Sequence, residues 1–339
     1  MKKIVSFIKK LNPHIVLPCL IILALVGSCI FLAKWAKGVD SEYNRDEVED
    51  GYEIEASTNH GYRISAKDIY NGQTITSNLT AENGAKIVFF DEIDSTNSEA
   101  KRRMIDVQPA SLHKTAFIAA TQTAGKGRLG RKFYSPGKTG VYLSLVYASG
   151  NIANPAFFTA TAAVAVCRAM KQVFDIDGGI KWVNDVFVRG KKICGILTEG
   201  ITNFETGQIE AAVIGIGVNV QPNPDIPEEI KEIVGSILEE PCSDQQKSKF
   251  VAQIINELIF LLDNENQQKH LAMEEYRSRS ILIGKKIQFS PVAGDEKNTF
   301  NAIVTDISND AALIVKMENG ETKTLNSGEI TIHSKNLIQ

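Results

Sequence analysis

The sequence predicts an α+β protein: strands covered by helices on one face in a large central block, then a small all-β module at the C-terminal end. Three observations predict it. Short apolar runs of strand character alternate with helical segments from about Ala85 to Leu238. Two more helical stretches follow, at 248–262 and 268–279. After Gly284 the pattern turns to short strands divided by Ser308-Asn309-Asp310 and Glu318-Asn319-Gly320, the spacing of a small barrel of roughly fifty residues.

In chain order, Lys2, Lys3, Lys9 and Lys10 precede an uncharged run from Ile15 to Ala33 that Lys34 and Lys37 close. About 19 residues is enough to span a bilayer, so a membrane anchor is the simplest physical reading of 15–33. Val26-Gly27-Ser28-Cys29 also loosely fits a lipoprotein-type cleavage site. An acidic patch follows, from Asp40 to Asp50. Tyr52 to Ala56 and Gly61 to Ile64 alternate apolar and polar residues about Thr58-Asn59-His60-Gly61, which predicts a β-hairpin. Residues 66–83 read as a polar linker with one short helix. The domains expected are 1–40, an apolar segment; 41–83, hairpin and linker; 84–280, the central block; and 281–339, the barrel.

Within the central block, Ile87 to Phe90 and Thr115 to Thr121 read as strands, and Ser95 to Ile105 as a helix with Ser95 or Thr96 near its N-cap. Val141 to Val146 is a strand expected to pair with 115–121 across a glycine-rich loop. Pro155 to Phe174 is Ala-rich and helical. Gly179 to Val188, Lys192 to Glu199 and Gln208 to Val220 are strand segments, and a helix is expected over 228–238 after Pro222, Pro224 and Pro227.

Composition excludes several classes. Of 339 residues, 43% are hydrophobic and 23% charged, which is ordinary for a globular chain. The formal net charge of -3 argues against a broadly basic, nucleic-acid-coating surface. Cys19, Cys29, Cys167, Cys194 and Cys242 form no Cys-x-x-Cys pair, and the five histidines show no metal-ligand spacing. A disulfide scaffold, structural zinc and a Ser/His/Asp triad are therefore without support.

Five segments could carry chemistry. Gly125-Lys126-Gly127-Arg128-Leu129-Gly130-Arg131 interleaves glycines, which allow close backbone approach, with cations suited to phosphate or carboxylate. It lacks the Walker spacing, and a solvated basic hairpin would look similar. Asp94-Ser95-Thr96-Asn97 could bind a polar ligand head at a helix N-terminus, or simply cap that helix. Lys181-Trp182-Val183-Asn184-Asp185 could meet an adenine, a ribose or a metal–phosphate, or form a turn with a surface ion pair. Lys191-Lys192 before Ile193-Cys194-Gly195-Ile196-Leu197 could neutralise a carboxylate and a phosphate together, or be a solvated pair on a turn. Gly215-Ile216-Gly217-Val218-Asn219 marks close approach in a strand, to a ligand or to neighbouring sheet.

Taken in this order, the set resembles the biotin–protein ligase family over roughly residues 85–335. The resemblance implies a mixed-sheet biotin/lipoate ligase-like core, a C-terminal SH3-like barrel, and two half-reactions. Biotin and ATP would form biotinyl-5′-adenylate, with Mg2+, and a lysine of a biotin carboxyl carrier protein would then take the biotin. By resemblance Lys192, Arg128 and Asp185 are the catalytic set, with Asp185 orienting magnesium or the incoming lysine. Ser95, Thr96, Asn97, Gln122, Lys126, Gly127, Arg128 and Lys192 would meet biotin. Gly125, Arg128, Arg131, Phe133, Asn184 and Asn219 would serve the adenylate. Three positions depart from the family's usual pattern: Lys126 for Arg, Phe133 for Trp and Val183 for Pro. The changes remove a bidentate fork, some stacking area and some rigidity, and none should abolish activity.

Many relatives carry an N-terminal winged helix that represses biotin genes. Residues 51–65 look like its wing and Ile4 to Leu11 like its first helix, but residues 12–49 are apolar and then acidic, which disfavours DNA binding. A rearranged repressor domain, a membrane anchor and a faulty start of the reading frame are the readings left open. The expected place of the catalytic block is the cytoplasm, and a homodimer is compatible with the resemblance. The rival functions are a biotin-responsive repressor, a lipoate or octanoate ligase, and a membrane-tethered binding protein without catalysis.

Overall fold

The computed structural model describes residues 52–57, 61–66, 69–148, 154–203, 205–263, 265–290, 299–326 and 331–333. The apolar run 15–33 and the helix expected at 4–11 lie outside the described residues. No helix among the described residues is long and apolar enough to cross a membrane.

The chain divides into two compact units, residues 1–66 and 67–339. In the first, β1 (Tyr52–Ser57) pairs antiparallel with β2 (Gly61–Ala66), Tyr52 opposite Ala66 and Ser57 opposite Gly61. This is the hairpin that the alternation about Thr58–Gly61 predicts.

The second unit opens with α1 (Gly72–Thr76), capped by Asn71. The segment 66–83 is more than a linker. Ile75 is fully buried in the main core, and Thr74 Oγ1 lies 2.9 Å from Ser248 Oγ. There follow β3 (Lys86–Ile93), α2 (Thr96–Asp106), β4 (Thr115–Gln122), β5 (Gly140–Tyr147), α3 (Pro155–Phe174), β6 (Gly179–Lys181), β7 (Asp185–Val188), β8 (Lys191–Thr202) and β9 (Ile209–Asn219). Then come α4 (Glu228–Lys231), α5 (Asp244–Asp263), α6 (Glu265–Ser278), and strands β10 (Lys286–Ser290), β11 (Phe300–Ile307), β12 (Leu313–Met317), β13 (Thr322–Leu325) and β14 (Thr331–His333).

A seven-stranded mixed sheet runs β3-β4-β5-β9-β8-β7-β6, with only β3 and β4 parallel. The C-terminal strands form a five-stranded antiparallel sheet in the order β13-β12-β11-β10-β14. The pleat sends alternate residues to opposite faces. Ala116, Ile118, Leu143, Leu145, Ile214 and Ile216 join the large core with α3 and α5. Phe117, Val146 and Val213 point the other way and form a second, small core with Ala100 of α2. Helices therefore cover both faces, not the single face expected, because β4, β5 and β9 are apolar on both sides. α3 is buried nearly all round, as its continuous apolar sequence requires.

Two expected elements are revised. The strand over 179–188 breaks at Trp182-Val183-Asn184, where the chain turns between β6 and β7. The helix over 228–238 stops at Lys231 because the next residues bond to strand ends instead. Lys192 N–H donates to Ile233 O, Gly235 N–H to Lys192 O, Ile237 N–H to Asn219 O and Leu238 N–H to Val220 O. A side chain at Gly235 would sit 2.6 Å from Lys191 Cβ, so this crossing needs glycine.

Candidate active site

The site lies on the α2 face of the large sheet. Register builds its floor: Gly195 pairs with Gly217, Leu197 with Gly215, Gly217 with Tyr142, and Gly215 with Ser144. Three of these positions lack a Cβ, and each gap is filled by a named neighbour. A Cβ on Gly217 would fall 2.4 Å from the Phe133 ring, one on Gly195 3.1 Å from it, and one on Gly215 2.1 Å from Asn97 Oδ1. Over this floor is a cavity of about 240 Å³.

One end of the cavity is neutral. Ser95 caps α2, accepting from Ser98 N–H at 3.4 Å, so Thr96 and Asn97 lead the helix into the site. Both are nearly fully buried. Thr96 N–H donates to Gln122 Oε1 at 2.9 Å, and Gln122 Nε2 donates to Ser135 Oγ at 2.9 Å. Beneath them Ser144 Oγ lies 2.7 Å from Thr96 Oγ1 and 2.5 Å from Asn97 Oδ1. Asp94, just outside, holds Arg102 in a bidentate pair at 2.7 and 2.8 Å. The Arg102 hydrogen bonds hold its carboxyl down at about 2.

The other end is cationic. Six cations line the cavity, Lys126, Arg128, Arg131, Lys132, Lys181 and Lys192, against one carboxylate, Asp185. The loop carrying the first four is a closed hairpin, with Gly127 N–H donating to Arg131 O at 2.8 Å and Phe133 N–H to Gly125 O at 2.9 Å. Leu129 at its tip takes a left-handed φ of 56° and is exposed. Arg128 reaches inward and donates to Asn184 Oδ1 at 2.9 Å. Burial lowers its pKa from the ordinary arginine value, partly offset by Asp185. Lys192 Nζ lies 2.6 Å from Asp185 Oδ1. Lys181 is buried at the strand end, and that burial pushes its pKa down. Lys126, Arg131 and Lys132 are exposed at the rim, whereas Arg128, Lys181 and Lys192 sit deeper, and an excess of cations of this kind suits a ligand with two anionic groups.

Of the residues to which the resemblance gives site roles, Ser95, Thr96, Asn97, Gln122, Lys126, Gly127, Arg128, Arg131, Phe133, Asn184, Asp185 and Lys192 all line this one cavity. Two do not. Gly125 is spent on packing, since a Cβ there would lie 2.5 Å from both Phe133 O and Ser135 Oγ. Asn219 gives its side-chain amide to Gly235 O at 3.1 Å, tying β9 to the segment that clamps Lys192. Lys181 and Trp182, part of the Lys181–Asp185 motif read from the sequence, also line the cavity, whereas Glu199 and Ser144 behind Asn97 were missed. Glu199 carried a signal: it sits two and four residues beyond Leu197 and Gly195, on the same face of β8.

Asp185 alone does not make a resident magnesium site. It is the cavity's single carboxylate and is paired with Lys192, and no cluster of three metal-ligating side chains occurs among the described residues.

Residues 90–219, which carry every one of these motifs, match the sequence model of the biotin/lipoate A/B protein ligase family. The match covers 130 of the 339 residues and takes in most of the large sheet. The chain is 34% identical over 196 residues to the bifunctional ligase/repressor BirA of Bacillus subtilis, covering 56% of this chain and 58% of that protein. It thus spans little more than half the length of that relative. It is 26% identical over 242 residues to a biotin–[acetyl-CoA-carboxylase] ligase of Mycobacterium tuberculosis, covering 70% of this chain and 85% of that one. The fold is shared with the biotin protein ligase of Aquifex aeolicus solved with biotin and ATP. There the TM-score is 0.59 at 24% identity, covering 73% of this chain and 98% of that one.

Proposed function

We propose that the protein is an ATP-dependent biotin–protein ligase. The carrying observation is the two-ended cavity: a neutral, hydrogen-bonded end at Ser95, Thr96 and Asn97, and a cationic end at Arg128 and Lys192, across a glycine floor. Biotin has the matching layout, a polar neutral ureido ring at one end and a carboxylate at the other.

In the first half-reaction a biotin carboxylate oxygen attacks the α-phosphorus of ATP and pyrophosphate leaves. Both partners are anions, so their approach needs cations already in place. Lys192 has three donors and can keep Asp185 while bridging the carboxylate and the α-phosphate. Arg128, steadied by Asn184, lines the same cavity, as do the more exposed Lys126 and Arg131. Phe133, resting on Gly195 and Gly217, offers a ring face to the adenine. Magnesium would come with the triphosphate, as it usually does, its charge offsetting that of the phosphates. In the second half-reaction the amine of a carrier lysine attacks the acyl carbon, AMP leaves, and Asp185 would orient that amine. Held geometry and charge stabilisation supply most of the acceleration. The acceptor we assign is a biotin carboxyl carrier domain, and the C-terminal sheet is read as the SH3-like module of such ligases.

The test is isotope exchange between pyrophosphate and ATP by the full chain, followed by transfer to a carrier domain. Exchange that requires biotin, with one carrier lysine labelled, is the expected result. Exchange with lipoate or octanoate but not with biotin would overturn the reading.

A further inference from the structure

We infer that Glu199 is a positioning residue that fixes the hydrogen-bond polarity of the cavity's neutral end by acting through Asn97, an inference that rests on the biotin reading above. An asparagine amide is nearly symmetric in shape, so its neighbours decide which end is oxygen. Here Asn97 Nδ2 lies 2.8 Å from Glu199 Oε2 and 3.2 Å from Leu197 O. A carboxylate and a peptide carbonyl can only accept, so both amide hydrogens are committed to them. Lys101 Nζ, 2.6 Å from Glu199 Oε1, holds the other carboxylate oxygen. Burial alone would raise the Glu199 pKa, but the hydrogen bonds from Lys101 and Asn97 outweigh it and keep the group ionised, hence acceptor-only.

The consequence runs across the sheet. Asn97 Oδ1 has no hydrogen, so Ser144 must donate to it across 2.5 Å. Ser144 has one proton and two oxygens within reach. The Thr96 hydroxyl, 2.7 Å away, can accept from Ser144 or donate back to it, and it also reaches Gln122 Oε1 at 3.1 Å, so its one proton is taken up by Ser144 or by Gln122 in either arrangement. Gln122 Oε1 keeps the Thr96 backbone N–H. Ser144 is fully buried and Asn97 is 4% exposed, so bulk water does not reorient the chain. The neutral end thereby offers oxygen lone pairs at Asn97 and Thr96, which select N–H donors such as those of a cyclic urea. A donor at position 199 would leave only the Leu197 carbonyl, at 3.2 Å, to hold that orientation, so Asn97 could turn over and present N–H to N–H.

The experiment compares biotin with its cyclic-carbamate analogue, in which a ring oxygen replaces one ureido N–H, in pyrophosphate exchange by the full chain. Glu199→Gln should raise KM for biotin about tenfold or more while the preference for biotin over the carbamate collapses. KM for ATP, kcat at saturation and the ligand-free melting midpoint should stay near wild type. Ser144→Ala leaves Glu199 in control, so its preference ratio should match wild type even where its KM rises. An unchanged ratio in Glu199→Gln, or a collapsed ratio in Ser144→Ala, overturns the inference. Absence of biotin-dependent exchange in the wild-type chain is a separate result, read before any variant, and would overturn the ligase reading and this inference with it.

Discussion

Lys192 Nζ lies 2.6 Å from Asp185 Oδ1, and both side chains are largely buried at the cationic end of the cavity. The two residues pair across neighbouring strands, one at the start of β8 and one at the start of β7. The backbone of Lys192 is fixed on both sides by Ile233 O and Gly235 N–H. Its ammonium group is thus pre-aimed by a strand, a crossing segment and a carboxylate.

Replacing Lys192 with alanine removes the cation to which the ligase proposal gives the span between carboxylate and phosphate. It also leaves Asp185 facing the incoming anions without its counter-charge. The expected loss in pyrophosphate exchange is about 10²–10³-fold, the range seen when one preorganised charge-stabilising donor is removed. Lys192→Arg should recover only part of it, since the planar fork is longer and differently shaped. Exchange rates at saturating biotin and ATP check both.

Gly217→Ala should disturb the floor. The new Cβ would lie 2.4 Å from the Phe133 ring, which also meets Tyr142 edge-on. The ring must move, at a cost of about 1–3 kcal/mol for an overpacked site. Phe133→Ala in the same chain relieves that contact, so the double variant should be more stable than the sum of the singles predicts. Melting midpoints with and without biotin and ATP read both the strain and the loss of ligand stabilisation.

The motifs that line the cavity were legible because each is short and local. Asp94–Asn97, the 125–131 loop and Lys181–Asp185 each place their groups within one turn, loop or strand end. What register brings together was not legible. Ser144 reads as one polar residue in an apolar strand until β5 is paired with β9 and Asn97 is seated over Gly215. Asn219 has its site role from the resemblance, and the sequence did not show that its strand-end amide also meets the crossing backbone at Gly235 O. The helix expected over 228–238 failed for a related reason: beyond Lys231 the backbone groups have better partners in Lys192, Asn219 and Val220. The second core on the α2 face was hidden because Phe117, Val146 and Val213 sit in strands apolar on both faces.

Stability should fall between neutral pH and pH 5, in part through His113. Its Nδ1 accepts Ala148 N–H at 3.1 Å, which requires the neutral ring. Burial, then the Lys114 charge, lowers its pKa below the ordinary histidine value of 6.5, with Asp263 opposing and Lys86 adding slightly. The unfolded chain therefore binds the proton first. The contribution is complete above about 6.5 and is lost as pH drops from there toward the folded value. His113→Gln should flatten this part of the profile. Urea midpoints at pH 7.5, 6.5 and 5.5 in both chains give the comparison, and parallel profiles would remove His113 from the account.

Trp182 links the cavity to the C-terminal sheet. Its indole lines the cavity on one side, and its Nε1–H donates to Ala311 O at 2.7 Å in the turn between β11 and β12. Both residues are buried, and Arg277 of α6 grips the same turn through Ile307 O and Asn309 Oδ1. Trp182→Phe keeps an aromatic ring but deletes the donor, so a buried carbonyl loses its partner. The cost should be about 1–3 kcal/mol, read as a lower urea midpoint at unchanged slope. Arg277→Met should weaken the same turn from its other side without touching the cavity wall. If the turn holds Trp182 in place for the reaction, Arg277→Met will also raise KM for ATP or biotin, although Arg277 lies outside the cavity lining. A purely local role for Arg277 would leave both KM values where they are.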